Sequence, residues 1–206
     1  MKKSAQRDFF ESQREHGPRR SRHGGGLEKN KRKLSRPFQK TKPLHIVLKS
    51  SHATGSRSLR SASNRVAVDT MINDQSRKVS AKIHAKQNVG NHVHLLMSFK
   101  TKTALTKFLK AIASMIARHV TQARKGKPAG FRFWDEIPFS RIVDGLRDFR
   151  GMLNYILKNR IESEYGREAR EALEAFEKAE AASCRRSGPR RSSSQAHRSR
   201  DRFETR

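Results

Sequence analysis

Two pairs of side chains in this chain have types and spacing suited to chemistry: His92 and His94, one residue apart, and Tyr155 and Asn159, four apart. If 92–94 is extended, side chains alternate across the strand, so both imidazoles share a face about 7 Å apart, a separation that suits a single metal ion. Val93 and Leu95 then face the core. If 155–159 is helical, the tyrosine and the asparagine lie one above the other on the flank of the apolar face. Gly151, one turn back on the same stripe, has no side chain to block an approaching ligand. An amide oxygen completing a histidine pair suits Mg²⁺ or Mn²⁺, although imidazole leans towards softer metals. A tyrosine beside a metal-bound phosphate could attack it, forming a phosphotyrosine and dividing one difficult step into two. Each pair also has a plain alternative. Two histidines can be polar strand surface, and a tyrosine can pack by its ring with its hydroxyl in water.

These residues need elements to position them. Leu44–Leu48 (LHIVL) is a short apolar, β-branched run after a proline and reads as a strand. Ser58–Gln75 carries a modest helical signal. Val79–Val89 alternates weakly, Gly90 supplies a turn, and His92–Phe99 reads as the second strand of a hairpin. From Thr103 to Arg124, Leu105, Phe108, Leu109, Ile112, Met115, Ile116 and Val120 recur at three- and four-residue intervals, which predicts an amphipathic helix. Phe131–Val143 is aromatic and β-branched, broken by Pro138, and predicts one or two short strands. Asp144 stands where an N-cap belongs, before a helix running to about Ile161, and a charged Ala/Glu helix follows over 164–182. The order β-α-β-β-α-β-α predicts an α+β fold, a ferredoxin-like or RNA-recognition-motif-like sandwich with an antiparallel sheet and helices packed on one face.

The ends differ from this middle. Residues 1–42 form a basic arm rich in Ser, Gly and Gln, and 183–206 an Arg/Ser tail; both are expected to be disordered without an anion. Over 206 residues, 47 Lys+Arg face 19 Asp+Glu, a net charge of +28. Such an excess calls for a polyanion, and nucleic acid fits better than a membrane surface because the basic segments lack an apolar companion face. The single cysteine, Cys184, excludes an internal disulfide and a cysteine-based zinc cluster. Neither an apolar leader nor an apolar run of spanning length is evident, so the expected setting is the cytoplasm, with the nucleoid as the place of work.

The motifs taken together carry a resemblance. NHVHLL at 91–96, Trp134 followed by SRIV at 140–143, and YILKN at 155–159 resemble the IS200-like transposase domain, and within it the REP-associated tyrosine transposases of the His-hydrophobic-His (HUH) superfamily. The resemblance covers about residues 43–163. It implies a metal held by His92, His94 and Asn159, and Tyr155 as nucleophile. It implies a single-stranded DNA substrate, including one folded into a hairpin, cleaved and rejoined through a 5′-phosphotyrosine by a monomer or homodimer. Where the family usually has an acidic residue before the first histidine, this chain has Asn91. Where proline usually follows the motif's asparagine, it has Arg160.

Arg132, Arg141, Arg147 and Lys158, with Lys107 and Lys110 on the amphipathic helix, are candidate DNA contacts, each with a solvated charge as the alternative. Phe133 and Trp134 could stack on bases, though core packing is the simpler expectation. Two other functions compete with the transposase reading: a non-catalytic basic nucleic-acid binder derived from a transposase, and a metal-dependent nuclease that uses water.

Overall fold

The computed structural model describes residues 22–25 and 35–186. The expected element order is present. A two-residue strand β1 (Arg22–His23) precedes β2 (Leu44–Lys49), a 3-10 turn at Gly55–Arg57 and α1 (Ala62–Lys78). The hairpin strands β3 (Lys82–Asn88) and β4 (His92–Ser98), then α2 (Lys102–Thr121), β5 (Phe139–Ile142), α3 (Gly145–Tyr165) and α4 (Arg167–Arg186) complete the described chain.

The described strands form one sheet in the order β1-β5-β2-β4-β3, with every neighbouring pair antiparallel. Without β1 this is the ferredoxin-like arrangement expected from the sequence. Alternation along the strands gives the sheet two different faces. Leu44, Ile46 and Leu48 of β2 and Val93, Leu95 and Met97 of β4 belong to the main core, which α1 and α2 cover. From α2, Leu105, Phe108, Leu109, Ile112, Ile116 and Val120 are all buried there. Each such side chain contributes about 1.5–3 kcal/mol by leaving water. The Thr101 hydroxyl caps the helix, accepting from the Ala104 amide at 3.1 Å.

The opposite face is smaller and holds the residues of interest. Leu96 and Val143 meet Met152 and Ile156 of α3 there, with Ala85, Phe149, Leu153 and Tyr155 around them. The two crossover helices therefore share one face, and α3 is a third layer across the other. It must lie there because its apolar stripe follows directly on β5, whose neighbours have already filled the first face. A bulge in β3 between Ile83 and Ala85 shifts the register with β4 by one residue, and His84 there meets Phe149 and Ser98 on the α3 side. At the hairpin tip Gly90 has φ +107°, a left-handed conformation that its lack of Cβ permits. Its amide donates to Asn88 Oδ1 at 3.0 Å.

Several details sharpen or correct the expectation. Of the one or two short strands expected in Phe131–Val143, one is present, β5. Phe133 is buried in the main core, and Trp134 donates its indole N–H to the Ala113 carbonyl of α2 at 2.8 Å, so both act in packing rather than as stacking platforms. Asp144 occupies the N-cap position without capping by its side chain. It accepts instead from Lys42 Nζ at 2.7 Å, while its own amide donates to Asp148. The first arm contains a strand: Arg22 and His23 pair with Arg141 and Ser140 at the sheet edge. Residues 1–21 and 26–34 of that arm, and 187–206 of the tail, lie outside the described residues.

Candidate active site

β4 carries both histidines of the motif on the α3 face, each almost wholly buried, at 1% and 0% exposure. Their rings stand edge to face with centroids 4.6 Å apart. α3 brings Tyr155 over them, its ring 5.3 Å from that of His94 and nearly perpendicular to it. One turn on, Asn159 is 5% exposed and donates its amide N–H to the Tyr155 carbonyl at 2.7 Å. His92, His94 and Tyr155 thus meet where a strand and a helix face each other, and Asn159 lies buried one turn beyond Tyr155 on the same helix. Beside Gly151, one turn before Tyr155, a Cβ would meet nothing within 4 Å.

A third histidine belongs to the group and was not anticipated. His45 of β2 is fully buried, lies stacked on His94, and has its Nε2 3.1 Å from His94 Nδ1. His92 Nδ1 is likewise engaged, 2.5 Å from Asn91 Oδ1. Asn91 thereby holds the imidazole at the position where the resembled family usually has an acid. On His94, whose Nδ1 faces His45, Nε2 is buried without a hydrogen-bond partner. Outer partners of this kind set ring orientation and tautomer in metal sites.

The electrostatics agree with neutral imidazoles. Burial, and to a smaller extent Arg141, lowers His45 to about 3. Burial, with Lys49 secondary, lowers His92 to about 3, and burial with the neighbouring histidines holds His94 well below its usual value. All three are unprotonated near neutrality, the form that binds metal. Burial also pushes the Tyr155 phenol up to about 12, against an opposing hydrogen bond from Asn159. Among the described residues no three His, Cys, Asp or Glu side chains converge as a ligand set. A metal here would therefore rest on the two histidines and an oxygen donor of another type, and the Asn159 amide has one.

The candidate DNA contacts separate into distinct settings. Arg141 is 9% exposed and grips Asp148 with its two terminal guanidinium nitrogens, at 2.7 and 2.9 Å, tying β5 to the first turn of α3. Lys158 faces α4, with Nζ 2.7 Å from Glu177 and 3.9 Å from Glu174. Arg132 and Arg147 are exposed. Lys107 and Lys110 are exposed too, but on α2, across the sheet from the histidines. No helix of the described residues is long and apolar enough to cross a membrane.

The family model "Transposase IS200 like" matches residues 44–159, from the first residue of β2 to the asparagine below Tyr155. Among solved structures, the chain is similar to a REP-associated tyrosine transposase bound to a REP hairpin, with 13% identity, 66% of this chain and 76% of that one covered, and a TM-score of 0.47. It is also similar to a candidate transposase from Deinococcus radiodurans, with 14% identity, 63% and 98% covered, and a TM-score of 0.38. Comparison with curated proteins finds no match. The family match spans more than half of the chain and both motifs; the chain belongs to the IS200-like transposase family.

Proposed function

We propose that the chain is a metal-dependent strand transferase for single-stranded DNA, working through a 5′-phosphotyrosine on Tyr155. The observation that carries this reading is the Tyr155 ring over His94, with Asn159 below it and His94 Nε2 buried without a partner.

His92, His94 and Asn159 would hold a divalent ion, Mg²⁺ or Mn²⁺, which supplies positive charge to orient and polarise the scissile phosphate. His45 and Asn91 engage Nδ1 of the two imidazoles and so fix how each ring is turned. Tyr155 Oη forms a bond to phosphorus as the bond from phosphorus to the 3′-oxygen breaks; the phenolic proton passes to solvent, and the departing 3′-oxygen takes up a proton from solvent. The products are a 5′-phosphotyrosine and a free 3′-hydroxyl. A second 3′-hydroxyl then attacks the same phosphorus, joins the new ends and releases the tyrosine. Because the phosphodiester energy is conserved in the tyrosyl ester, rejoining needs no further energy source. Both histidines are shut away from solvent here, so admission of a strand requires α3 to shift relative to the sheet.

The test is covalent trapping. Purified protein is incubated with labelled single-stranded oligonucleotides from DNA flanking its own gene, with Mn²⁺ or EDTA, beside Tyr155→Phe and His92→Ala. A denaturation-resistant adduct that needs the metal and both residues is expected. Cleavage without an adduct would transfer the claim to a hydrolytic nuclease. Binding with neither cleavage nor adduct would leave a basic nucleic-acid-binding relic.

A further inference from the structure

The first arm places a second guanidinium on the histidine face. β1 pairs with β5 so that Arg22 lies directly opposite Arg141, and β5 pairs with β2 so that Arg141 lies opposite His45. Directly opposed residues project to the same side. Arg22, Arg141 and His45 thus form one row across the sheet, from its edge to the ring stacked on His94. At about 4.8 Å per strand, Arg22 starts roughly 10 Å from His45.

Like charges directly opposed across two strands are unfavourable unless an anion lies between them. The Asp148 carboxylate faces Arg141, which takes both of its oxygens. Arg22 is left with its Nε buried and without a hydrogen-bond partner, and both burial and Arg141 work against its charge. A buried donor without an acceptor is costly even on a side chain that is only half-buried.

The docking of β1 is nevertheless specific. The Gly25 amide donates to the Ile137 carbonyl at 3.0 Å, and Arg36 donates to the Pro138 carbonyl at 2.8 Å and to the Ser140 hydroxyl. Gly24 has φ +82° and passes so close that a Cβ would fall 2.2 Å from the Pro138 carbonyl oxygen. The chain is therefore built to bring Arg22 to this edge.

We propose that docked Arg22, beside Arg141, binds a phosphate of the single-stranded DNA next to the scissile one. The arm thus acts as an edge strand of the active-site face as well as a source of loose charge. Guanidinium is suited to this because its planar fork matches phosphate oxygens. This inference rests on the single-stranded DNA reading above.

The test measures binding of a labelled flanking oligonucleotide by full-length protein carrying Tyr155→Phe, as a function of salt. Arg22→Ala should weaken binding about tenfold and flatten the slope of log K against log salt by about 0.7, the value for one lost single-strand phosphate contact. Gly24→Ala keeps every charge but obstructs docking, so it should produce the same loss, and the double variant should be no worse than either. Unchanged binding by Arg22→Ala overturns the proposal. So does Gly24→Ala that binds like its parent, since Arg22 would then be acting from an undocked arm. If the parent binds but Arg22→Ala matches it, and the Tyr155-intact protein forms its adduct, this proposal alone fails. If the parent does not bind single-stranded DNA, both readings fall.

Discussion

The imidazole of His45 lies parallel to that of His94, 11° between ring planes and 5.4 Å between centroids, with His45 Nε2 3.1 Å from His94 Nδ1. The two residues come from different strands, 49 positions apart. The β2–β4 register sets Val47 opposite His94 and His45 opposite Leu96, so His45 reaches His94 diagonally on the same face. This bond engages Nδ1 of His94, and Nε2 of that ring is the nitrogen left without a hydrogen-bond partner.

His45→Phe keeps a ring of similar shape and removes that bond. We expect Mn²⁺ affinity, by calorimetry, to fall about 10- to 100-fold. Stability in urea should change by no more than ~1–2 kcal/mol. Unchanged Mn²⁺ affinity would make His45 a packing residue only.

The metal-free protein should lose stability on mild acidification. His45, His92 and His94 have folded pKa values below the unfolded value of about 6.5, so the unfolded chain binds protons first. Their contribution is complete above about pH 6.5 and is lost as pH falls towards 3. At pH 5.5 each would have lost up to ~1.4 kcal/mol, on the order of 4 together. Urea midpoints at pH 7.5 and 5.5, with and without Mn²⁺, check this. A flat profile in EDTA would show that the rings are not buried as neutral bases.

Arg141→Ala should destabilise the fold by ~2–4 kcal/mol, because it strands Asp148 without its partner at the junction of β5 and α3. Burial alone would raise Asp148, but the hydrogen bond from Arg141 and that from the Asp144 amide outweigh it and leave the carboxyl below its usual value. The pair's stabilisation is therefore present above about pH 4 and declines as pH falls below it. Arg141→Ala with Asp148→Ala should cost less than the sum of the single changes. Additive losses in urea unfolding would mean that the two side chains are not coupled.

Arg147 and Lys158 should behave differently in DNA binding although they lie on one helix. Arg147 is exposed, whereas Lys158 is engaged by Glu174 and Glu177 of α4. Arg147→Ala is expected to flatten the salt dependence of single-stranded DNA binding by about 0.7. Lys158→Ala should leave it unchanged and loosen α4 against α3, seen as faster amide exchange in 167–179. Lys107→Ala and Lys110→Ala, across the sheet, should be silent in adduct formation. An effect of either on the adduct would place the strand's path around the α2 side.

Much of this molecule is local pattern, and that part could be read from the residues in order. Period-two alternation in His92–Phe99 and the three-and-four spacing from Leu105 to Val120 depend only on how a strand or a helix projects its side chains. So His92 and His94 had to share a face, Tyr155 and Asn159 had to share a stripe, and the element order limited the sheet to very few topologies. The remainder depends on which segments meet and in what register, which no short-range pattern encodes. His45 is a lone polar residue in an apolar run, and only the pairing of β2 with β4 makes it a partner of His94. Arg141 and Lys158 look like free cations in the sequence until the fold supplies Asp148, Glu174 and Glu177. Arg22 sits in a stretch without periodicity, and its position opposite Arg141 comes from a long-range edge pairing. The sequence determined which side chains could do chemistry and which surface each local element would present. Tertiary structure decided which charges were already neutralised and which nitrogen was left free, because burial and pairing are properties of neighbours distant along the chain.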